Sequence, residues 1–383
     1  MSAEHEILKT LVKKRVNFNF SSVSLRLDLC ESLFSSFAVD LGTQALLNSL
    51  RKDEAIDYSR TLDLGCGCGP VGLFLKAQNP SREVHMVDRD ALAVEFASHN
   101  AALNRLEVSV YPSLDYEQAE GLFSLIVTNF PAKMAPKGLA AFVYGASNRL
   151  SEDGVFAVVV VRELAEELDS ILGNEVIRVL YREDKKGYSI LHIAFDEKIP
   201  PPTDKYERHT MNLKLKKTHT LKTAYGLPEF DTLSYGTRCL LSVMEGMKGY
   251  SSVLVLEPGQ GHAAVAVMDL LGPKELVLAS RDLLSLTFAR QNVEDNFGFE
   301  PVAMHVPFLK DPPEQELTVW NVSRKRDFAP NAQSLEVLLE CGKTMLVYGE
   351  KGVIRALLAR KPLVVLKEVI QKNYCALLME PKR

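Results

Sequence analysis

Short apolar runs alternate with amphipathic stretches through the first half of the chain. Apolar or strictly alternating runs predict strands at residues 23–30, 83–87, 106–110, 122–127, 155–161, 175–182 and 188–195. A further short apolar run that ends at residue 64 also predicts a strand. Helical spacing predicts helices starting near Thr43, a plausible N-cap, and over residues 71–75, 91–103, 139–149 and 162–172. This alternation predicts a doubly wound, mostly parallel sheet. The last two strands follow each other without a helix, which predicts an antiparallel hairpin at the sheet edge.

A glycine-rich stretch joins the first strand of this pattern to its helix. It reads Thr61-Leu-Asp-Leu-Gly-Cys-Gly-Cys-Gly-Pro-Val-Gly72, with three glycines at every second position. Glycines leave the backbone bare, and a helix N-terminus presents free N–H groups and a positive dipole end. The stretch matches the G-x-G-x-x-G dinucleotide fingerprint, with Asp88 about 20 residues later. However, Asp63 would repel a pyrophosphate and suits a ligand that carries ammonium and sulfonium groups.

The stretch from Asp63 to Gly69 therefore resembles motif I of class I methyltransferases, which bind S-adenosylmethionine. In such a site a carboxylate at the end of the second strand, here Asp88, accepts hydrogen bonds from ribose hydroxyls. A purely structural tight turn and a nicotinamide-dependent dehydrogenase are the alternatives. The predicted cofactor-binding residues are Asp63, Gly65, Cys66, Gly67, Gly69, Asp88, Arg89 and Asp115.

The 383 residues indicate two or three domains, and the net charge of −4 gives no global attraction to nucleic acid. A local segment, residues 198–222, holds seven Lys or Arg against two acids, so it predicts either a solvated linker or a strip that contacts phosphates. Cys66 and Cys68 have no second Cys or His pair nearby, so we expect no metal. No run is long enough to predict a membrane span.

The second half of the chain repeats the first at an offset of 192–194 residues. The stretch Gly42-Thr-Gln-Ala-Leu-Leu recurs at Gly236, Leu62-Asp-Leu-Gly recurs as Leu256-Glu-Pro-Gly, Asp88-Arg-Asp recurs as Ser280-Arg-Asp, and Asn129 recurs as Asn321. A constant offset of this size predicts two tandem copies of one domain. The expected division is a first domain at 1–196, a basic, proline-containing linker at 197–228 and a degenerate repeat at 229–383.

The two copies differ at the positions that would bind a cofactor. The first has Asp63, three spaced glycines and Asp88. On the sequence alignment, the second has Glu257 for the first acid, Ala263 for the third glycine and Ser280 for the second acid. Loss of a charge-assisted hydrogen bond costs on the order of 1.5–3 kcal/mol. We therefore expect the first copy to bind the cofactor and the second to be decayed.

The fourth strand ends in Asn129-Phe-Pro-Ala132. This sequence resembles the Asn-Pro-Pro-aromatic motif of amine methyltransferases, in which the Asn oxygen and a neighbouring carbonyl accept hydrogen bonds from a planar amine. The resemblance implies that Asn129, Phe130 and Pro131 form the catalytic motif, although alanine stands where the stacking aromatic would be. A strand-end turn former is the structural alternative for Asn129.

Tandem domains of which one is decayed resemble the bacterial guanine-N2 methyltransferases of small-subunit ribosomal RNA. The resemblance implies two Rossmann-like class I methyltransferase domains, S-adenosylmethionine as cofactor, and ribosomal RNA or the small ribosomal subunit as partner. It also implies a cytoplasmic monomer that forms an intramolecular pseudo-dimer. In that family the second copy is usually active, and here the motifs favour the first. Methylation of a protein amide or small molecule, and a non-catalytic RNA-binding or assembly factor, stay open as alternatives.

Overall fold

The computed structural model describes residues 8–33, 37–52, 59–131, 136–247, 249–322 and 325–382. The chain divides into two compact units, Met1–Tyr206 and Glu207–Arg383. Each unit contains an antiparallel hairpin followed by a seven-stranded sheet with helices.

The first unit opens with a hairpin of strands β1 and β2 and continues into its sheet. Its strands are β1 (Val12–Phe20), β2 (Val23–Cys30), β3 (Arg60–Leu64), β4 (Glu83–Asp88), β5 (Ser109–Pro112), β6 (Phe123–Asn129), β7 (Leu150–Val161), β8 (Ile177–Asp184) and β9 (Tyr188–Phe195). Its described helices are α1 (Leu41–Lys52), α2 (Pro70–Gln78), α3 (Ala91–Leu103), α4 (Pro136–Ser147) and α5 (Ala165–Leu172).

The sheet of the first unit runs in the order β5-β4-β3-β6-β7-β9-β8. The first five strands are parallel, and β9 lies antiparallel to both β7 and β8. The strand order reverses beside β3, and in open parallel sheets ligands bind at the carboxyl ends of the strands at such a point. The doubly wound sheet and the antiparallel edge hairpin predicted from the sequence are therefore confirmed.

The second unit repeats this architecture. Its strands are β10 (Glu207–Lys214), β11 (Thr218–Ala224), β12 (Ser252–Leu256), β13 (Glu275–Ser280), β14 (Val302–His305), β15 (Leu317–Val322), β16 (Thr344–Glu350), β17 (Leu363–Gln371) and β18 (Tyr374–Pro381). Its described helices are α6 (Tyr235–Met244), α7 (His262–Leu270), α8 (Leu283–Phe297), α9 (Phe328–Cys341) and α10 (Lys351–Leu358). The sheet order is β14-β13-β12-β15-β16-β18-β17, which matches the first sheet strand for strand.

Repeated asparagines attach each hairpin to the helix after the second sheet strand. The Asn100 side chain accepts a hydrogen bond from the Asp28 N–H at 2.8 Å and donates to the Asp28 and Cys68 carbonyls. In the second unit the Asn292 side chain accepts a hydrogen bond from the Lys222 N–H at 2.8 Å and donates to the Lys222 and Gln260 carbonyls. Because these buried amides satisfy backbone groups along a strand edge, the repeated asparagine has a structural role in both units.

Besides strand β1, which the sequence patterns did not predict, two local features differ from the sequence-based expectations. Helix α1 begins at Leu41, and its cap is the Asp40 carboxylate, which accepts the Thr43 N–H at 3.0 Å; Thr43 is therefore not the N-cap. In addition, strands β10 and β11 form a hairpin within the segment 197–228 that was expected to be a linker. High Lys content hid this hairpin, since its exposed face carries the charges. The division into domains at 1–196 and 229–383 stays a prediction.

Candidate active site

The glycine turn of the first unit lies between β3 and α2. Gly65, Gly67 and Gly69 have positive φ angles of 76°, 57° and 89°, which favour glycine. A Cβ added to Gly65 or Gly67 would meet nothing within 4 Å, whereas one on Gly69 would lie 2.6 Å from the Met86 side chain. The turn therefore has two sides: Gly69 packs on the protein, and the first two glycines expose bare backbone to open space.

The end of β4 fixes the conformation of this turn. The N–H groups of Gly65 and Cys66 both donate to the Val87 carbonyl, at 2.8 and 2.9 Å. The Gly67 N–H donates to the Asp88 carboxylate at 3.0 Å, and the Asp90 N–H donates to its other oxygen at 2.9 Å. Two backbone donors thus hold the Asp88 carboxylate at the carboxyl end of the sheet, beside the open part of the turn.

Asp63 lies below the turn and is almost completely buried. One of its carboxylate oxygens accepts the Gly72 N–H, in the first turn of α2, at 2.8 Å. Burial raises the pKa of Asp63 to about 7 and that of Asp88 to about 6. Both carboxyls therefore favour a cationic ligand, since a nearby positive charge would offset the cost of their ionisation in this buried place.

The remaining predicted cofactor residues lie in different surroundings. Cys66 is buried, which raises the pKa of its thiol, and Arg89 is half-buried. Asp115 is also buried and has a positive φ of 52°. Its carboxylate forms an ion pair with the Lys205 ammonium group at 3.0 Å. The next residue, Tyr206, has a buried hydroxyl whose pKa is raised by desolvation. The sequence did not indicate that Lys205 and Tyr206 belong to the first unit, because their segment was interpreted as a linker.

The predicted acceptor motif is split by the fold. The Asn129 side chain is half-buried at the end of β6, and its amide nitrogen donates to Asp40 and to Thr43, both at 3.3 Å. The Phe130 ring is instead buried in the core, with its centroid 5.6 Å from that of Phe142 in an edge-to-face contact. Pro131 is exposed, and Ala132 lies outside the described residues. Asn129 is thus the member of the motif whose side chain reaches the site.

Three of the seven basic side chains in the segment 198–222 are in ion pairs. Lys205 contacts Asp115, Arg208 contacts Asp231 at 2.9 Å, and Lys222 contacts Asp295 at 3.3 Å. Lys214 and Lys217, next to the turn between β10 and β11, are exposed and form no ion pair with the described residues. These two lysines are the part of the segment best placed to meet an external phosphate.

The second unit corrects the sequence alignment of the two glycine turns. Gly261 caps α7 with a φ of 95°, as Gly69 caps α2 with 89°. The Glu257 N–H donates to the Ala279 carbonyl at 2.8 Å, as the Gly65 N–H donates to Val87. Matching residues of the two turns therefore differ by 192 in residue number. Glu257 corresponds to Gly65, so its proposed match with Asp63 is wrong, and Ala263 is not the third glycine.

Val255 consequently occupies the position of Asp63 in the second unit. Glu257 has a left-handed backbone, with φ 58°, and its side chain extends where the first unit leaves open space. Its carboxylate accepts the Ser280 hydroxyl at 2.8 Å and the Arg281 N–H at 3.1 Å. Burial raises the pKa of Glu257 to about 7. The second turn is therefore closed by its own side chain and lacks the buried acid below it.

Comparison with known proteins gives a consistent family. Residues 25–192 match the family model of the methyltransferase small domain. The chain is 30% identical over 183 residues to the uncharacterized protein YbxB of Bacillus subtilis, covering 46% of this chain and 85% of that protein. It is 33% identical over 165 residues to ribosomal RNA small subunit methyltransferase C of Actinobacillus succinogenes, covering 41% of this chain and 48% of that protein. It thus spans less than half the length of that ribosomal RNA methyltransferase.

A solved structure extends the fold comparison over both units. The 16S rRNA N2 G1207 methyltransferase of T. thermophilus, solved with AdoMet and guanosine, matches with a TM-score of 0.70. The match covers 98% of this chain and 100% of that one, at 16% sequence identity. This similarity confirms the tandem Rossmann-like methyltransferase fold predicted from the sequence.

The described residues contain neither a membrane-spanning helix nor a metal-binding cluster. In that part of the chain, no helix is long and apolar enough to cross a membrane. Likewise, no group of three or more His, Cys, Asp or Glu side chains within the described ranges is arranged to hold a metal ion.

Proposed function

The chain belongs to the methyltransferase small domain family, and on that premise we propose that it is an S-adenosylmethionine-dependent methyltransferase of ribosomal RNA. The proposed acceptor is the exocyclic N2 amine of a guanine. The observation that carries the proposal is the open glycine turn of the first unit, with Asp63 and Asp88 beside it. The names of the ribosomal RNA methyltransferases similar to this chain support the choice of substrate.

The first unit fits this cofactor by shape and by charge. The bare backbone at Gly65 and Gly67 would accept the flat nucleoside without steric conflict. Asp88 has carboxylate lone pairs for the ribose hydroxyls, and Asp63 would offset the positive charges of the methionine part. The proposed cofactor-binding residues are Asp63, Gly65, Cys66, Gly67, Gly69, Asp88, Arg89 and Asp115.

We propose that Asn129 orients the acceptor amine. When bound, S-adenosylmethionine would supply an electrophilic methyl group on its sulfonium sulfur, and the amine that takes this methyl group would lose one proton to water. The Asn129 amide oxygen would accept a hydrogen bond from the amine and direct its lone pair. Catalysis of this kind is mostly positioning. Phe130 and Pro131 would act through the backbone, since Phe130 is buried in the core.

The second unit would then serve substrate binding rather than methyl transfer. Its turn carries Glu257 where a bare glycine is needed and Val255 where the buried acid is needed. We propose that the exposed Lys214 and Lys217 of its hairpin contact phosphates of the RNA. The partner would be ribosomal RNA or the small ribosomal subunit in the cytoplasm, bound by a monomer with two units, the first domain spanning residues 1–196 and the degenerate repeat residues 229–383.

The experiment that tests this function is transfer of a labelled methyl group from S-adenosylmethionine by the purified chain. The substrates are ribosomal RNA, protein and small-molecule fractions from a strain that lacks the protein. Labelled N2-methylguanosine after nucleoside digestion is the expected result. Label in the protein or metabolite fraction would favour the alternative amine substrates. No transfer to any fraction, with RNA binding intact, would favour the non-catalytic assembly factor.

A further inference from the structure

Three polar groups meet at the carboxyl end of β6. The Asn129 amide nitrogen lies 3.3 Å from an Asp40 carboxylate oxygen and 3.3 Å from the Thr43 hydroxyl. The Thr43 hydroxyl lies 2.6 Å from the other oxygen of Asp40. Thr43 is buried, and the other two side chains are half-buried. The first turn of α1 therefore closes a triangle of hydrogen bonds with the residue proposed to orient the acceptor.

The direction of these hydrogen bonds follows from the chemistry of the groups. An ionised carboxylate can only accept, so Thr43 must give its hydroxyl proton to Asp40. That leaves Thr43 with lone pairs alone for Asn129. Both neighbours of Asn129 are then acceptors, and they select the NH₂ end of its amide. The amide oxygen must point the other way, and it accepts no hydrogen bond from the described residues.

The backbone next to these three residues lets helix α1 pack closely against the sheet. A Cβ on Gly42 would lie 3.1 Å from the Asp40 carboxylate and 3.3 Å from the Val159 side chain, so glycine lets α1 pack against the sheet here. Val159 is the β7 partner of Asn129, and its carbonyl accepts the N–H of the following residue, Phe130, at 3.0 Å. The acceptor strand and the first turn of α1 are thus held together by packing as well as by hydrogen bonds.

We propose that Asp40 and Thr43 are positioning residues that fix the orientation of the Asn129 amide, so that its oxygen faces the acceptor amine. The catalytic role of Asn129 in this inference rests on the proposed function. The orientation of its amide rests only on the contacts with Asp40 and Thr43. Without the triangle, the Asn129 amide could rotate and turn its NH₂ group toward the substrate amine. Both groups would then be hydrogen-bond donors, and the amine would lose the oxygen that accepts its N–H. The Asn–x–Pro motif is then incomplete without the Asp-Leu-Gly-Thr stretch that begins at Asp40.

The central test is a kinetic double-mutant cycle in the full-length chain. Thr43→Val removes the hydroxyl but keeps the side-chain shape and the Thr43 N–H bond to Asp40. It should lower the methylation rate about tenfold, since small misplacements of reacting groups are costly. Affinity for S-adenosylmethionine should not change. In an Asn129→Ala background, Thr43→Val should have no further effect, because the amide it orients is absent.

Two control variants separate positioning from general damage. Thr43→Ser keeps the hydroxyl and should restore the rate to within about twofold of wild type. Thr237→Val removes the matching hydroxyl of the second unit, which donates to Glu229 at 2.7 Å, and should leave the rate unchanged. Equal rate losses in the Thr43→Val and Thr237→Val proteins, or an additive loss on Asn129→Ala, would overturn the proposal.

A structural measurement keeps the inference testable if no methyl transfer is found. In protein labelled with ¹⁵N-asparagine, the NH₂ resonances of Asn129 are assigned by their loss in Asn129→Ala. Thr43→Val should shift these resonances and speed rotation of the amide, whereas Thr43→Ser and Thr237→Val should not. Unchanged Asn129 resonances in Thr43→Val would overturn the positioning role. Absence of transfer by the wild-type protein would instead contradict the proposed function.

Discussion

Glu257 occupies in the second unit the turn position that Gly65 occupies in the first. The N–H of each donates a 2.8 Å hydrogen bond to the carbonyl at the end of the neighbouring strand. At Gly65 the space beyond the Cα is open, and at Glu257 a half-buried carboxylate fills it and binds Ser280 and Arg281. One substitution therefore distinguishes a turn that can admit a ligand from one that is closed by its own side chain.

The first prediction concerns cofactor binding by the first unit alone. Asp88→Ala should weaken S-adenosylmethionine binding at least about tenfold, because the ribose hydroxyls lose a charged acceptor. Titration calorimetry measures the affinity and the stoichiometry, which should be near one. Ser280→Ala, at the matching position of the second unit, is the control and should leave both values unchanged. Equal losses, or a stoichiometry near two, would show that the second turn also binds.

The second prediction concerns the pH dependence of that affinity. Asp63 and Asp88 have pKa values raised to about 7 and about 6, so both gain a proton as pH falls through this range. Neutral carboxyls attract a cationic ligand less, and S-adenosylmethionine binding should weaken about tenfold from pH 8 to 5.5. The dependence should be shallower in Asp88→Asn. An affinity that does not change with pH would contradict the assignment of these two acids.

The same pKa shifts act on stability in the opposite sense. The folded protein holds these protons more tightly than the unfolded chain, in which an Asp has its ordinary value of 3.8. Their contribution to the free energy of unfolding is therefore full below about pH 4 and is lost as pH rises through 6 and 7. Urea denaturation with and without cofactor across this range would detect it.

The third prediction uses a matched pair of glycines. Gly67 and Gly259 have φ angles of 57° and 59°, and a Cβ on either would meet nothing within 4 Å. Gly67→Ala and Gly259→Ala should each cost about 1–2 kcal/mol in the free energy of unfolding, because alanine is strained in this conformation. Only Gly67→Ala should also weaken S-adenosylmethionine binding, by at least about tenfold, since its methyl group would face the ligand. Similar binding in both variants would contradict the proposed site.

The fourth prediction distinguishes the two strand-end asparagines. Asn129→Ala should lower the methylation rate about 10²-fold or more, judging by what loss of a positioned polar group costs other enzymes. Its affinity for S-adenosylmethionine should stay within about threefold of wild type, because the amide acts on the acceptor. Asn321→Ala should leave the rate unchanged. The reverse pattern would make the second unit the catalytic one.

The fifth prediction concerns RNA affinity. Changing Lys214 and Lys217 to Gln should reduce the slope of log affinity against log salt by about 0.7 for each phosphate that a lysine no longer neutralises, if the RNA is single-stranded there. Lys222→Gln is the control, since Lys222 is already paired with Asp295 at 3.3 Å. Filter binding with ribosomal RNA over a range of salt concentrations measures the slope. An identical slope in the double variant would exclude these lysines from the interface.

Local patterns in the sequence were sufficient for the strands of the first sheet and their alternation with helices, but not for strand β1 or for the hairpin of β10 and β11. Alternation over residues 23–27 and helical periodicity over residues 162–172 each reflect one buried face, which the sequence records directly. The edge hairpin of each sheet and the tandem repeat followed from the same patterns. The glycines of the turn were also identifiable, because positive φ angles favour that residue type.

What the sequence left open concerns the relations between distant residues. Sequence similarity alone aligned Glu257 with Asp63. The hydrogen bond from the Glu257 N–H to Ala279 matches that from the Gly65 N–H to Val87, and this match showed that Glu257 corresponds to Gly65. Phe130 looked like part of an acceptor site, yet the alternation of β6 and its neighbours directs its ring into the core.

The sequence by itself determined the fold class, the duplicated architecture and the glycine turn, because each depends on residue types at fixed local spacing. Tertiary structure decided that Asp40 and Thr43 meet Asn129, which lies 86 residues beyond Thr43 in the chain. It also decided that Lys205 contacts Asp115. The physical reason is that such pairs form between side chains brought together by packing, and no local pattern of hydrophobic and polar residues specifies which ones will meet.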